Sequence, residues 1–362
     1  MNKKTWIDGM KGIAICGVVM IHSGGAFLPS LLGKIGLIGQ NGVQIFFLLS
    51  AYLTFESMER SFADGMERKR IIIWMIKKFI RLIPLYYIAL FVCYFTTGGN
   101  SYWLGSEGHI TLGNLLAHMA FLHGLFPHYT DSIIGVEWYL GVLAIFYLIA
   151  PFLFKMINSL KKSVVFWVFG TFLGMIVTRE CYRFIPQVSD SYIYTDFLGT
   201  FSFLTQISVI LLGIVLYYIL KEKRESKNDW ETKLASYSLL LFAIVMIGGM
   251  VLDKNRLLGL NNYALFGIWF FIIACSQAMY STPIIDNIVF RYLGRYSYSI
   301  FLFHYLLILI YQKYIHIELG GDVLEWLVKY IVVLGTSAVI AYFATRFVDV
   351  PIRNYLLKKL GI

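Results

Sequence analysis

Residues 7–28 read IDGMKGIAICGVVMIHSGGAFL, an apolar stretch that contains one lysine, Lys11, and one histidine, His22. Eleven positions separate the two, and eleven steps of about 100° return a helix to within roughly 20° of its starting direction. Both side chains therefore leave one face of the same helix, about 16 Å apart along its axis. A charged residue at mid-membrane costs roughly 2.5–3.5 kcal/mol, so such residues usually face a bundle interior or a wet cavity and indicate function.

The rest of the chain has the composition of a polytopic membrane protein. Hydrophobic residues make up 58% of the 362 residues and charged residues 14%, and the mean hydropathy is +0.69. Apolar runs of about twenty residues, long enough to cross roughly 30 Å of hydrocarbon, recur without a long polar interruption. We therefore expect an all-α transmembrane bundle that forms a single domain over residues 1–362.

Ten segments are long enough to be predicted as spans. The shorter stretch 112–126 is expected to form a re-entrant or interfacial helix on the outer side. The predicted spans are 7–28, 36–55, 71–95, 133–157, 163–179, 197–220, 233–252, 262–280, 294–315 and 324–347.

The distribution of basic residues predicts the orientation. With these spans, 23 of the 31 lysines and arginines lie on one side and seven on the other. Basic residues are enriched in cytoplasmic loops, so both termini are expected in the cytoplasm. This asymmetry accounts for the net charge of +10 without a nucleic-acid partner. The four cysteines are scattered and form neither a disulfide framework nor a metal-binding pattern.

The second and third spans contain polar groups that lipid-facing helices lack. Three glycines spaced by three residues, at positions 36–42, predict close approach of a neighbouring helix, and Asn41 adds a polar group beside them. Arg81 is embedded in the third span, three residues before Pro84, and Lys78 precedes it. A guanidinium there suits a phosphate or carboxylate, or pairs with an acidic side chain for structure.

Two later segments provide further candidates. Glu137 and Trp138 open the fourth span at the outer interface, where Trp138 either contacts substrate or anchors the helix as interfacial tryptophans do. Arg295 lies at the cytoplasmic end of the ninth span, and His304 lies nine residues deeper, with a structural or a functional role. Four further histidines, at 109, 118, 123 and 128, match no metal-binding pattern and are expected to be hydrogen-bonding interfacial residues.

Taken in order, these segments resemble the acyltransferase-3 family of integral membrane acyltransferases. The family's paired Arg and His map onto Lys11 and His22, and the lysine keeps the charge but lacks the bidentate fork. Many members carry a Glu where this chain has Leu143 or Ala144. The matching segments are IDGMKGIAICGVVMIH (7–22), NGVQIFFLLSAYL (41–53), KKFIRLIPLYY (77–87), WYLGVLAIFYLIAP (138–151) and LGRYSYSIFLFHYLL (293–307).

The resemblance implies a ten-helix bundle that transfers an acyl group, most commonly acetyl, from cytoplasmic acetyl-CoA or another acyl-CoA to extracytoplasmic carbohydrate or glycolipid. Acyl-CoA would be a co-substrate, with no bound cofactor and no metal, and the cell membrane, a bacterial plasma membrane, would hold the protein. Some members carry an appended SGNH-type esterase domain, and we expect none in these 362 residues.

The residues so assigned form three groups. His22 is the expected catalytic residue, either as a general base or as the acceptor of the acyl group. The expected donor-binding residues are Lys11, Lys78, Arg81 and Arg295, and the expected acceptor-binding residues are Asn41, Glu137, Trp138 and His304.

Two other kinds of function fit the same residues. Polar groups inside a bundle serve a glycan transporter or flippase equally well, although no internal repeat is evident. A non-catalytic membrane sensor on the same fold also remains open, since the family Glu is missing.

Overall fold

The computed structural model describes residues 4–100, 108–185, 191–222, 230–252, 262–315 and 321–362. Within these ranges the chain forms helices and connecting turns, with no strand. The α-helices are α1 Thr5–His22, α2 Ser30–Ile38, α3 Gly42–Ser61, α4 Arg68–Thr96, α5 Leu112–Met119, α6 Trp138–Met156, α7 Leu160–Phe184, α8 Ser191–Asp196, α9 Phe203–Glu222, α10 Trp230–Leu252, α11 Asn262–Met279, α12 Ile288–Arg295, α13 Ser297–Tyr314, α14 Asp322–Ala344 and α15 Val350–Lys359.

The helices confirm an all-helical, multi-pass membrane protein. In the described residues, eight helical segments are long and apolar enough to cross a membrane, and α12 with α13, bent by 78°, make a ninth if they count as one broken span. Helix α1 is not among them, because Asp8, Lys11 and His22 lower its hydropathy. The count of ten spans and the cytoplasmic termini stay predictions.

The stretch 112–126 does not form a membrane span. Helix α5 has only eight residues, about 12 Å of length, and it is followed by the 3-10 helix His123–Leu125. This agrees with the predicted short re-entrant or interfacial helix, whose side of the membrane stays a prediction.

Contacts within the chain divide the protein into two compact units. The first comprises Met1–Tyr52 and Val209–Ala341, and the second comprises Leu53–Ser208 and Tyr342–Ile362. The single domain expected over residues 1–362 stays a prediction.

Helix α1 runs through the first unit with backbone packed closely against it on two sides. A Cβ added to Gly12 would lie 2.1 Å from the carbonyl oxygen of Phe290 in α12. On another side, a Cβ on Gly39 would lie 2.3 Å from the oxygen of Gly17, and one on Gly42 would lie 2.5 Å from that of Ala14. Small residues allow helices to approach this closely, so the predicted role of the glycines in the second span is confirmed.

The second unit is built around α4 and α6. Pro84 lies inside α4, which continues through it from Arg68 to Thr96. Gly124 and Gly141 pack so closely that a Cβ on Gly124 would lie 2.7 Å from the carbonyl carbon of Gly141, which fixes the 3-10 helix His123–Leu125 against α6. Near the end of the chain, the sequence predicts that Asp349, two residues before Pro351, caps a helix or pairs with Arg346 or Arg353. The structure shows the pair with Arg353, at 3.6 Å.

Candidate functional site

His22 and His304 form a hydrogen-bonded pair in the first unit. Nδ1 of His22 lies 2.8 Å from Nε2 of His304, and the two rings are nearly parallel, 16° apart, with centroids separated by 5.1 Å. His304 is fully buried, whereas His22 is half-buried. The sequence predicts a catalytic role for His22 and leaves a structural or a functional role open for His304, and the structure shows that the two side chains meet.

The partners of His304 determine which nitrogen carries each proton. Nδ1 of His304 lies 2.8 Å from the carbonyl oxygen of Phe301 and 3.2 Å from that of Ile300. Carbonyl oxygens only accept, so this nitrogen carries a proton, and Nε2 of the neutral ring is left as an acceptor. Nδ1 of His22 must therefore donate to it, which leaves the lone pair on Nε2 of His22. Among the described residues, none hydrogen-bonds this Nε2.

Local structure positions both rings. His22 is the last residue of α1, where Ser23 closes the helix by donating its backbone N–H to the carbonyl of Val19 at 2.9 Å. The edge of the Tyr305 ring faces His22, with centroids 5.7 Å apart. Asn41 belongs to the short 3-10 helix Gly39–Asn41 that packs on α1. Its side chain is 1% exposed, and its Oδ1 lacks a hydrogen-bond partner among the described residues.

Lys11 and Arg295 belong to a different helix pair, α1 and α12. A Cβ on Gly294 would lie 1.7 Å from the oxygen of Asp8 and 2.9 Å from the nitrogen of Gly12, so α12 meets α1 backbone to backbone beside Lys11 and Arg295. Arg295 is exposed, and Lys11 is half-buried. Lys11 therefore lies in the first half of α1, next to its contact with α12, and His22 is the last residue of α1. Arg295 directly follows Gly294, the α12 residue at this contact.

An acidic group anchors this end of the first unit. Asp286 accepts from Thr5 Oγ1 at 2.7 Å and from the side chains of Ser281 and Arg291. Burial alone would raise the pKa of Asp286, but these hydrogen bonds and the charge of Arg291 lower it below its usual value. The carboxylate therefore stays charged and ties the start of α1 to the segment before α12.

The other two predicted donor-binding residues lie on α4 in the second unit. Nζ of Lys78 donates to Thr54 Oγ1 at 3.4 Å and lies 5.2 Å from the ring centre of Trp74 and 5.3 Å from that of Tyr147. Arg81 is exposed, and its charge acts on Asp349. Lys78 is therefore already in contact with protein groups. Arg81 has an acidic neighbour in Asp349, which agrees with the interpretation that Arg81 pairs with an acidic side chain for structure.

Glu137 is enclosed by the loop that precedes it. Its two oxygens accept from four successive backbone N–H groups, those of residues 133–136, at 2.7–3.1 Å. His118 Nε2 adds a fifth contact at 3.1 Å. Burial would raise the pKa of Glu137, but the hydrogen bond and charge of His118, with the backbone donors, lower it to about 2. Protein groups donate hydrogen bonds to both oxygens of this buried carboxylate, an arrangement that does not favour contact with substrate. The expected substrate contact of Glu137 stays a prediction.

Two histidines complete this buried cluster. His118 directs Nδ1 at the carbonyl of Asn114, at 2.9 Å, and Nε2 at Glu137, so both of its ring nitrogens donate. His123 stacks on His118 with centroids 4.4 Å apart, and its Nε2 donates to the carbonyl of Glu137 at 3.0 Å. Burial lowers the pKa of His123 to about 3. The hydrogen bonding expected of these two histidines is present, and both rings are buried within the protein. Their place at the membrane interface stays a prediction.

Trp138 is held at the start of α6 by Asp131, whose Oδ1 accepts from the backbone N–H of Trp138 at 2.8 Å. Burial, followed by the charge of Glu137, raises the pKa of Asp131 well above its usual value. The Trp138 ring is 8% exposed and meets the edge of Phe201. It is thus mostly covered by protein, and its proposed contact with substrate stays a prediction.

The remaining sequence predictions concern aromatic residues and metal binding. The sequence predicts that Tyr102, Trp103, Tyr129 and Trp138 either stack on sugar faces or anchor the chain at the membrane interface. Tyr102 and Trp103 lie outside the described residues. In the described part of the chain, no group of three or more His, Cys, Asp or Glu side chains is arranged to hold a metal ion. Sequence reasoning missed the contacts of Glu137 with its own loop, because a partner 19 positions away and four backbone donors leave no periodic pattern.

A family model and several known proteins match nearly the whole length of this chain. The family model described as an acyltransferase domain matches residues 4–346. A Staphylococcus aureus (strain COL) protein named "Putative O-acetyltransferase SACOL0978" is 23% identical over 379 residues, covering 98% of this chain and 58% of that protein. The peptidoglycan O-acetyltransferase OatA of Listeria monocytogenes serovar 1/2a (strain ATCC BAA-679 / EGD-e) is 24% identical over 372 residues, covering 96% of this chain and 55% of that protein. The chain therefore spans little more than half the length of these relatives.

Proposed function

Since the chain belongs to the acyltransferase-3 family, we propose that it is a membrane O-acetyltransferase. It moves an acetyl group from cytoplasmic acyl-CoA to a hydroxyl of a cell-surface or lipid-linked carbohydrate, in the plasma membrane of a bacterium. The single observation that carries the proposal is the His22–His304 pair, which leaves one basic nitrogen of His22 available.

The pair supports general-base catalysis. Nε2 of His22 takes the proton of the acceptor hydroxyl, and the oxygen attacks the thioester carbonyl. The carbon–sulfur bond then breaks, and the proton held by His22 passes to the departing CoA thiolate. While His22 is charged, its Nδ1–H remains hydrogen-bonded to His304, whose own Nδ1–H is held by backbone carbonyls. Acylation of His22 itself is a second route that uses the same nitrogen.

Two cations near the contact of α1 with α12 support a CoA donor. Phosphate groups are bound well by lysine and arginine, and Lys11 and Arg295 are chain neighbours of Gly12 and Gly294, where the two backbones meet. About 16 Å of helix separates Lys11 from His22. In this proposal the phosphates stay near the cytoplasmic end while the thioester reaches along the helix. Lys78 and Arg81 stay candidates for the same role in the second unit.

The test is transfer of radiolabelled acetyl groups from acetyl-CoA to cell-envelope glycan by the purified full-length protein in lipid nanodiscs. His22→Ala is expected to reduce transfer at least about 100-fold, because general-base catalysis contributes about 10²–10⁴-fold. The matched control is His109→Ala, which removes an exposed histidine and is expected to retain full transfer.

The outcome separates this proposal from the other two functions. Substantial transfer by His22→Ala, in protein that folds and inserts normally, would remove the proposed catalytic role. Movement of glycan across the bilayer without transfer of label would indicate a transporter. Absence of both would leave a non-catalytic sensor.

A further inference from the structure

A pocket of about 570 Å³ opens in the first unit, where the turn after α1 meets the end of α13 and the start of α14. Its wall includes Ser23, the residue after His22, together with Gln312 near the end of α13 and one face of the start of α14. Small-ligand sites in proteins occupy about 300–1,000 Å³. The pocket is therefore large enough for one or two sugar rings, and its wall includes the residue that follows the proposed base in the chain.

Two polar atoms in this wall have no partner in the described protein. Ser23 is 2% exposed, and its Oγ makes no hydrogen bond. Nε1 of Trp326 is likewise buried without an acceptor. Leaving a buried polar group unsatisfied is costly, so such atoms indicate where a ligand or water completes the bonding. The indole N–H only donates, whereas the serine hydroxyl donates and accepts, a combination that a sugar hydroxyl satisfies.

The charged groups of the pocket lie on α14. Asp322, Glu325 and Lys329 line it at positions i, i+3 and i+7, which fall within about 60° of one another on a helix. Two carboxylates against one ammonium give the wall a net negative charge at neutral pH. Carboxylates accept hydrogen bonds from hydroxyl groups, and they repel a negatively charged ligand.

From these observations we propose that the pocket binds the acceptor, and that the acceptor is an uncharged saccharide rather than an acidic one. One hydroxyl is presented towards His22, while Trp326, Ser23 and the two carboxylates bind other hydroxyls. The identification of the bound sugar as the acceptor rests on the proposed acetyl transfer. Binding of a sugar to the pocket can be measured without turnover.

The experiment measures binding of oligosaccharides to the full-length His22→Ala variant in nanodiscs by isothermal titration calorimetry. The neutral probes are chitotriose and maltotriose, and the acidic probe is trigalacturonic acid. We expect at least one neutral probe to bind and to bind at least about tenfold more tightly than the acidic probe. Adding Trp326→Phe, which keeps an aromatic ring and removes the N–H, should weaken neutral binding about three- to tenfold, and Ser23→Ala should act in the same direction.

Two controls make the result specific to the pocket. Trp230→Phe changes a tryptophan that is 73% exposed and outside the pocket wall, and it should leave binding unchanged. Combining Asp322→Asn with Glu325→Gln should reduce the preference for neutral over acidic probes at least about threefold. Acetyl-CoA binding should be the same in every variant.

Failure of this inference is distinguishable from failure of the proposed function. The inference is overturned if neither neutral probe binds, if trigalacturonic acid binds as tightly as the neutral probes, or if Trp326→Phe and Ser23→Ala both match Trp230→Phe. Retained acetyl transfer by His22→Ala would overturn the catalytic assignment alone, and the calorimetric comparison would still decide whether the pocket binds neutral sugar.

Discussion

At the residue scale, His304 acts on the proposed chemistry through His22. Its Nδ1–H is bound by backbone carbonyls of its own helix, so its Nε2 presents an acceptor to His22 at 2.8 Å. This acceptor fixes the tautomer of His22 and holds the ring when the second nitrogen becomes protonated. His304 is therefore a positioning residue in our proposal, although the sequence alone suggested contact with substrate.

A pair of substitutions at position 304 tests this role. His304→Leu removes the acceptor and should lower kcat for acetyl transfer about 10- to 100-fold, with little change in KM for acetyl-CoA. His304→Asn offers an amide oxygen to the same Nδ1–H and should recover part of the loss. The measurement is steady-state transfer kinetics with the nanodisc protein, with His109→Leu as the control. Equal kcat for the Leu and Asn variants would contradict the role.

Glu137 is the residue for which stability, not chemistry, gives the clearest prediction. Glu137→Gln would turn an amide –NH2 towards backbone N–H groups and remove the charge paired with His118. Breaking a buried ion pair costs about 3–5 kcal/mol. We therefore expect a large fall in the thermal midpoint in detergent, measured by tryptophan fluorescence. Glu180→Gln, in a surface pair, should change stability by less than about 1 kcal/mol.

The same carboxylate predicts a dependence of stability on pH. The folded pKa of Glu137 is about 2, below the ordinary value of 4.5. Its contribution is therefore fully present above about pH 4.5 and is lost as the pH falls towards 2. The difference in thermal midpoint between wild type and Glu137→Gln should accordingly narrow on acidification through this window. A difference that is constant from pH 7 to pH 3 would contradict this assignment of charge.

At the element scale, the close contact of α1 with α12 holds His22 and Lys11 in place. Gly12→Ala would put a methyl group 2.1 Å from the backbone of Phe290, which cannot move away as a side chain would. Substitution should separate the helices, lower the thermal midpoint and reduce acetyl transfer. Gly249→Ala in α10 is the matched control, because a Cβ there meets nothing within 4 Å and alanine favours the helix by up to about 1 kcal/mol. Equal stability of the two variants would show that the contact does not constrain α1.

How far the sequence predicts these elements depends on the kind of signal. Hydropathy and periodicity locate the long helices, and eleven-residue spacing places Lys11 and His22 on one face. The glycine spacing in 36–42 predicts close packing, because a residue without a Cβ lets a neighbouring backbone approach closely. The 78° bend between α12 and α13 is different. No proline marks it, yet it precedes His304, so the pairing of the two histidines follows from tertiary packing that hydropathy does not encode.

The loop before α6 shows a second limit. Its shape depends on left-handed backbone at Gly135 and at Asp131, with φ of 86° and 55°. Asp131 is a residue type that adopts this conformation more readily than most, but the sequence does not say that it does. Only the folded backbone reveals that four N–H groups converge on Glu137. The sequence alone therefore predicts a carboxylate at the membrane interface.

At the scale of the whole molecule, the orientation in the membrane decides which substrate reaches which end of α1. The basic-residue distribution predicts that Lys313 is outside and that Lys359 is inside. Both side chains are exposed in the structure. Lys313→Cys and Lys359→Cys, each in a chain whose four native cysteines are replaced by serine, should therefore react differently with a membrane-impermeant maleimide. We expect labelling at 313 in intact cells and at 359 only after permeabilisation.

This labelling pattern also bears on the direction of acetyl transfer. Lys313 follows Gln312, which lines the pocket together with Ser23. Access to position 313 from outside would therefore indicate that the pocket opens towards the outer face, where an extracytoplasmic glycan is found. Lys11 and Arg295 would then lie towards the cytoplasm, where acyl-CoA is made available. The reverse labelling pattern would place the negatively charged pocket on the cytoplasmic side and Lys11 and Arg295 on the outer side. A cytoplasmic CoA donor could not then use these two cations.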